Sequence, residues 1–556
     1  MLIYKGLVDV EKVLVIDANA RCSGKRFATL DVIGVGPRLI TALLKSYGFE
    51  AVLHPYENII NNPKLVKDYD VVAVSFMVSD IVAVQKLLKS LKRFRENRGL
   101  VVLGGPGTLD EDVLKILDFD VAFIGEAEYT FHYLFHRCGY RSFRELVHEI
   151  GNSREVPKGL AIKRGNNVVS GGLGYWVPKD LLFKVIPEIN DVKNYPYYWA
   201  CRIYVEVVRG CSNFCRPSIT GLCSECGICN SKDLSKRVVC PAGIPPGCGY
   251  CNVPLVHGYA RSRDIYSIVE EVHKLIDLGA TRIVLSAPDF LDFGRDAKVQ
   301  DILTDPCNPS PNIDMIEKLL EELTNIEQVS EGKASISIEN VKACLVNREV
   351  AEVLGKYLKN TAIYIGLESC SNKLLNIVGR PSKCEDVLNA IKLLVNKGLR
   401  PYVYLIHGLP HEDVEDIKKT IGVIPLLKDL GVERIVLYRF RSLPRTAFEK
   451  IDKVAEAIDP EIVKYREILK EEVRKFNSYR KMELIGRHID VVIASKHHKH
   501  QHYLVGYPLT HGPVTLIKTS KRYIGYLARV KIVKALSDRI VLGEIIHIKQ
   551  KIVKNL

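Results

Sequence analysis

The chain has no run of 18 uninterrupted apolar residues, and only four methionines, two tryptophans and five glutamines among 556 residues. The first absence excludes a membrane-spanning helix. The opening MLIYKGLVDVEKVLVID places acidic residues where a signal peptide needs an apolar core. A cytoplasmic location and no membrane partner are therefore expected. Fifteen cysteines are too few for a disulfide scaffold at this length. Neither charge dominates: 79 Lys+Arg against 65 Asp+Glu leave +14, a balance compatible with an anionic partner. With 47% apolar and 26% charged residues the chain is not of the disordered class. At roughly 150 residues per domain, the length corresponds to about three to four domains.

What is present is unevenly distributed along an α/β chain. Residues 1–185 alternate β-branched runs (KVLVID, DVVAVSF, LVVLGG, DVAFIG) with helical patterns, which implies a doubly wound parallel sheet. Ligands of such sheets sit beyond the carboxyl ends of the strands, where Gly104, Gly105 and Gly125 fall. Residues 186–475 repeat the pattern six times (IYVEVV, RIVLSA, ASISIE, AIYIGLE, YVYLIH, RIVLYR), enough for a partial (β/α)6 barrel. Residues 476–556 change to short strands split by Gly and Pro, a small OB-like β-barrel. From Glu483 onward, 13 Lys+Arg against four Asp+Glu give a net +9. Lys518, Lys521, Arg522 and Arg529, interleaved with Tyr503, Tyr507, Tyr523 and Tyr526, form a candidate phosphate-binding and base-stacking surface.

Eight cysteines fall within 41 residues, between Cys211 and Cys251, at the end of the first barrel strand. Eight thiols exceed one four-ligand site. Cys223-x2-Cys226-x2-Cys229 followed by Cys240-Pro241 resembles a bacterial ferredoxin run with its last gap lengthened, and four such thiolates suit a [4Fe–4S] cluster. A zinc ribbon is the alternative: Cys226-x2-Cys229-x18-Cys248-x2-Cys251 has that spacing, but it leaves Cys211, Cys223 and Cys240 unexplained.

The remaining motifs resemble the radical S-adenosylmethionine (SAM) superfamily, in the subclass with a cobalamin-binding-type N-terminal domain. They are Arg209-Gly210-Cys211, then Cys248-Gly249-Tyr250-Cys251, then Arg261-Ser262-Arg263, with residues 212–247 as an insertion. The resemblance implies that Cys211, Cys248 and Cys251 hold a [4Fe–4S] cluster whose open iron chelates SAM, with Cys215 as an alternate ligand. Cys223, Cys226, Cys229 and Cys240 then hold an auxiliary cluster. Electron transfer to SAM in this superfamily releases a 5′-deoxyadenosyl radical, and the electron donor is of ferredoxin or flavodoxin type. Gly366-Leu367-Glu368-Ser369 and His407-Gly408-Leu409-Pro410 are similar to the superfamily's strand-end SAM motifs, and Tyr250 and Ser286 join Gly366, Glu368, Ser369 and Gly408 as expected SAM contacts. The expected Gly-Gly-Glu is replaced by Ser286-Ala287-Pro288-Asp289.

Ser75, Gly104, Gly105, Gly125 and Glu126 are similar to the cobalamin-contact positions of the subclass, although Asp17-x-Asn19-x-x-Cys22 lacks the axial histidine, so cobalamin is a candidate cofactor. Ile485-Gly486-Arg487, Gly506 and Leu542-Gly543-Glu544 resemble a TRAM module, an RNA-binding barrel. The implied function is methylation or methylthiolation of tRNA or another RNA, with no catalytic side chain assigned. The alternatives are a radical SAM methyltransferase acting on a protein or small molecule, and a zinc-stabilised, non-catalytic RNA-binding protein.

Overall fold

The structure, a computed structural model, describes residues 10–24, 30–218, 223, 226–449, 459–500 and 502–553. It divides into two compact units, Met1–Tyr198 and Trp199–Leu556.

In the first unit a seven-stranded sheet runs in the order Glu50–Pro55, Lys12–Asp17, Val71–Ser75, Leu100–Gly104, Val121–Phe123, Leu160–Arg164, Asn167–Ser170. The first five strands are parallel and the last two antiparallel. The parallel core follows from unalternated β-branched runs, which suit strands covered on both faces: Val13, Leu14, Val71, Val72, Val101 and Leu103 are inaccessible. The antiparallel pair is an addition that the strand–helix alternation did not indicate.

In the second unit six parallel strand segments, beginning with Arg202–Glu206 and ending with Arg434–Arg439, form two half-sheets. One joins Arg202–Glu206, Arg282–Ser286 and Ser335–Ile338. The other joins Asn340–Val341, Ala362–Glu368, Arg400–His407 and Arg434–Arg439. The third segment breaks at Glu339, and its two pieces pair to opposite sides. Helices cover the outside. In Ile265–Asp277 the carboxylate of Asp264 caps the Ser267 amide, and Ile268, Val272 and Ile276 are buried on one stripe.

The last strands, His488–Lys496, Tyr503–Pro508, Val514–Lys518, Tyr526–Ala535 and Ile540–Lys551, close into a five-stranded barrel around Val491, Ile493, Ile517 and Val530. This barrel docks on the N-terminal ends of the catalytic strands. Ser335 Oγ donates to the Leu509 carbonyl (2.6 Å), the Arg400 guanidinium to the carbonyls of Thr510 and His511, and Trp199 Nε1 to that of Ile493. Tyr507, expected among base-stacking residues, is buried in this junction with the Arg282 guanidinium 5.6 Å from its ring. Among the described residues no helix is long and apolar enough to cross a membrane.

Candidate iron–sulfur and SAM site

The cysteine block hangs from a two-stranded neck, Val208–Arg209 antiparallel to Arg261–Ser262, beyond the C-terminal end of the first barrel strand. Gly210 has φ +80°, and a Cβ there would lie 2.1 Å from the Tyr259 carbonyl oxygen, so only glycine lets the two sides close. Cys211 N then donates to the Gly258 carbonyl. The flanking motif residues act here as fasteners: Arg209 chelates Glu206, Arg263 pairs with Glu271, and Ser262 Oγ donates to Asp296.

At the base of the loop Cys211, Cys248 and Cys251 converge. Asn213 bridges two of them, its backbone N–H 3.4 Å from Cys211 Sγ and its side-chain amide 3.3 Å from Cys248 Sγ. Burial pushes the thiols of Cys211 and Cys251 up to about 11 and about 12, and the neighbouring thiols add to the rise. Metal binding at such a trio therefore releases protons. Three thiols in one loop match the three-ligand set, one thiolate per iron, that the resemblance implies for a [4Fe–4S] cluster.

Arg380, which the sequence reading did not single out, lies against this trio. Its guanidinium donates to the Gly366 carbonyl (2.7 Å) and lies 3.9 Å from Cys248 Sγ and 3.7 Å from Glu368 Oε1. A Cβ at Gly366 would meet Glu368 Oε1 at 2.3 Å and Arg380 Nη2 at 2.8 Å, so a side chain there would displace the carboxylate and the guanidinium. Glu368 itself has φ +62° at a break in strand register, a backbone state that a carboxylate residue adopts only under local constraint. Burial raises its pKa against the opposing effect of Arg380, and the Tyr250 hydroxyl faces it. Arg380 Nε and His407 Nδ1 are buried without a hydrogen-bond partner among the described residues. Burial, with Lys470 and Arg466 nearby, lowers the His407 pKa to about 4. The orphaned Arg380 Nε and the Glu368–Arg380 pair fit the amino-acid end of a SAM molecule.

Other expected contacts are placed differently. Ser369 is buried, its hydroxyl bonded to Thr420 and to the Ser371 amide. Ser286 Oγ donates to Glu339. Gly408, at φ +81°, donates its N–H to Glu412 and keeps the Arg466 guanidinium 3.7 Å from where a Cβ would stand. Where Gly-Gly-Glu was expected, Asp289 accepts from the amides of Leu291 and Lys342. With Asp292, Arg295, Ser212 and the Lys342 ammonium it forms a buried ionic cluster beside Cys211 (Lys342 Nζ to Ser212 Oγ 2.6 Å, to Asp292 Oδ2 2.8 Å). Burial pushes Asp292 up, but Lys342 and Arg295 outweigh it and hold the carboxyl below its ordinary value.

A separate cavity of about 390 Å3 in the inserted segment is lined by Cys215, Cys223, Cys226, Cys229 and Cys240. The structure thus places Cys215 in the wall of this cavity, where burial, with Cys229 adding to the effect, raises its pKa to about 11. Arg216 forms part of the wall, 3.5 Å from Cys229 Sγ and held by the carbonyls of Phe214, Ile244, Arg237 and Val238. Among the described residues no three metal-binding side chains close tightly enough for a single ion. Two disulfides not anticipated from composition, Cys307–Cys344 and Cys370–Cys384, lie outside both groups.

In the first unit Ser75 Oγ accepts from Asn19, and the carboxylate of Glu126 from the Val177 amide. A Cβ at Gly105 would lie 2.8 Å from the Phe76 carbonyl and one at Gly125 2.9 Å from Leu173, whereas Gly104 has open space above it. Apart from Gly104 these positions are held by packing and internal hydrogen bonds. In the C-terminal barrel Lys518, Lys521 and Arg522 are exposed, while Arg529 is paired with Asp490 at 3.1 Å.

A parallel partial barrel whose first loop gathers three thiols under a buried carboxylate–arginine pair defines a cluster-dependent SAM enzyme. Comparison agrees: residues 238–424 match the radical SAM superfamily model. The chain belongs to the radical SAM superfamily and is an enzyme. An uncharacterized protein of Methanocaldococcus jannaschii is 37% identical over 94% of this chain and 96% of its own length. At 24% identity the chain is similar to the ribosomal protein uS12 methylthiotransferase of Petrotoga mobilis (57% of this chain, 68% of that one). It is equally similar to the tRNA-2-methylthio-N(6)-dimethylallyladenosine synthase of Finegoldia magna (51% and 58%). Among solved structures, the radical SAM methyltransferase TsrM of Kitasatospora setae, determined with cobalamin and a [4Fe–4S] cluster, shares the fold (TM-score 0.54, 13% identity, 81% of this chain and 78% of that one). The family implies a [4Fe–4S] cluster and SAM.

Proposed function

We propose that the chain modifies a base of tRNA or another structured RNA by methyl or methylthio transfer, with two iron–sulfur clusters. Cys211, Cys248 and Cys251 would hold the SAM-binding cluster, and four of the five thiols around the inserted cavity an auxiliary one. When bound, the first cluster and SAM supply a 5′-deoxyadenosyl radical. The protein's part is positional. Arg380 and Glu368 orient the polar end of SAM, and the backbone at Gly408 admits its flat base. The buried Lys342–Asp292 cluster stiffens the Cys211 end of the loop.

The observation that carries the two-cluster reading is the separation of the eight thiols into a partly buried trio and a five-thiol cavity. A single ribbon joining Cys226 and Cys229 to Cys248 and Cys251 does not account for that partition. RNA is favoured by the exposed Lys518, Lys521 and Arg522 on a closed barrel whose net charge is strongly positive. The first unit keeps the cobalamin-type fold, with Gly104 as its open position.

Serine variants test the assignment. Cys248→Ser is expected to lose about four irons per chain and all SAM cleavage, and Cys226→Ser combined with Cys229→Ser about four irons while cleavage persists. Equal loss of both in each variant would overturn the division into two centres. Lys521→Glu with Arg522→Glu is expected to weaken tRNA retention at low salt, and unchanged retention would remove the RNA assignment.

A further inference from the structure

The lumen of the catalytic barrel is unlike that of a packed (β/α) barrel, whose inward positions are mostly Val, Ile and Leu. Here the strands alternate between buried residues facing the helices, such as Ile203, Val205, Ile363 and Ile365, and partly exposed inward ones. Most of the inward residues are polar or aromatic, with Val436 and Ile406 among the apolar ones. Tyr364 and Tyr404 stack (centroids 5.5 Å, 14° between planes), and Tyr438 continues the series 5.6 Å from Tyr404. Tyr364 is anchored from below by His511 (2.9 Å). The hydroxyls of Tyr404 and Tyr438 have no protein partner among the described residues, and Tyr438 is 52% exposed at the C-terminal rim. Glu339, at the break in the third strand, is held by Ser286 and Tyr204 within electrostatic reach of Tyr404. Glu368 of the SAM site is within the same reach of Tyr438.

Directly beyond Tyr438 the chain continues as Arg439, Phe440 and an exposed Arg441. This basic segment returns to the cluster loop: Phe448 N donates to the Gly249 carbonyl, and Asn252 Nδ2 to that of Pro444. An aromatic ladder, two carboxylates (Glu339 and Glu368) and a basic rim therefore share the mouth at which the thiol trio sits.

We propose that this lumen is a nucleobase pocket: an unpaired base of the substrate RNA stacks on Tyr438 and Tyr404, its N–H edge toward Glu339, with its phosphate at the Arg441 rim. The inference rests on the RNA reading above and places the contact at the reaction end of the barrel, opposite to the docked C-terminal module. Stacking on an aromatic side chain and a rim cation suit a base because every base has a π-face and a neighbouring phosphate.

The test uses the full, anaerobically reconstituted protein with the four nucleoside 5′-monophosphates, and with tryptophan as a non-nucleotide ring, read by saturation-transfer NMR and by quenching of tyrosine fluorescence. The wild type is expected to bind at least one nucleotide. Tyr438→Leu and Tyr404→Leu should weaken it by about tenfold or more, Tyr404→Phe only slightly, and Arg441→Glu should weaken the nucleotide but not the free nucleoside. Tyr266→Leu, on the exposed face of an outer helix, should bind as the wild type does. If the protein cleaves SAM but binds no nucleotide, prefers tryptophan, or binds equally in Tyr404→Leu and Tyr438→Leu, the pocket assignment is wrong while the radical SAM reading stands. If the wild type takes up no iron and yields no 5′-deoxyadenosine, the proposed function fails and the pocket assignment with it.

Discussion

Replacing Lys342 by methionine removes one cation from a buried set of two carboxylates and leaves Arg295 as the remaining counter-charge. In the wild type the ammonium lies 2.8 Å from Asp292 and 2.9 Å from Asp289, with both acids inaccessible. Breaking such a buried pair costs about 3–5 kcal/mol, because a charge is left without its partner. For a unit of this size that is a fall of roughly 4–7 °C in Tm.

The pH dependence gives the sharper test. Lys342 and Arg295 hold Asp292 below its ordinary value, so its contribution is present above the unfolded carboxyl pKa and disappears only in acid. Without Lys342, burial raises Asp292, and Asp289, which burial already holds above its ordinary value, rises further. Their cost is then present above the raised folded pKa and relieved as pH falls through it. The stability gap between wild type and Lys342→Met should therefore be widest at pH 8 and narrow toward pH 5. Thermal unfolding by circular dichroism at both pH values, on apoprotein, reads this directly. A gap independent of pH, or no gap, would refute the ionic account of the loop's anchor.

Lys481, inaccessible at the end of the Pro460–Met482 helix, has its pKa lowered to about 8 by burial, with Arg434 and Arg400 adding to the effect. The unfolded chain keeps that proton to its ordinary pKa while the folded one releases it near 8. Stability should thus rise by up to about 3 kcal/mol between pH 8 and 10.5. Lys481→Met should be more stable at pH 7 by a similar amount in urea unfolding and should lack the rise. Gly210→Ala forces a Cβ against the Tyr259 carbonyl at φ +80°, so iron retention should fall severalfold after gel filtration while the first unit, probed by limited proteolysis, is unchanged.

The architecture was legible where one interaction type dominates. Unalternated β-branched runs identify strands covered on both faces, and the Asp264 cap and its apolar stripe place a helix to within a residue. The thiol trio was indicated by resemblance to the family's motifs rather than by spacing, and its members lie at the two ends of one loop. Sequence could not show that Cys215 turns to the inserted cavity rather than toward Cys211, since both placements satisfy the spacing. Arg380, Lys342 and Asn213 were missed for a similar reason. Each is an isolated polar residue whose partners come from elements up to 166 positions away, and only the closed barrel brings them together. The basic C-terminal strands were correctly read as a barrel, but its docking on the N-terminal strand ends consumes Tyr507, and Asp490 takes Arg529.

The central claim is that one chain holds a SAM-cleaving cluster and a second, separate one. Iron per chain and reductant-dependent 5′-deoxyadenosine, measured on protein reconstituted anaerobically with iron and sulfide, test it together. The expected result is about eight irons per chain, four for each cluster, with deoxyadenosine formed from SAM. Zinc without iron, and no cleavage of SAM, would contradict it.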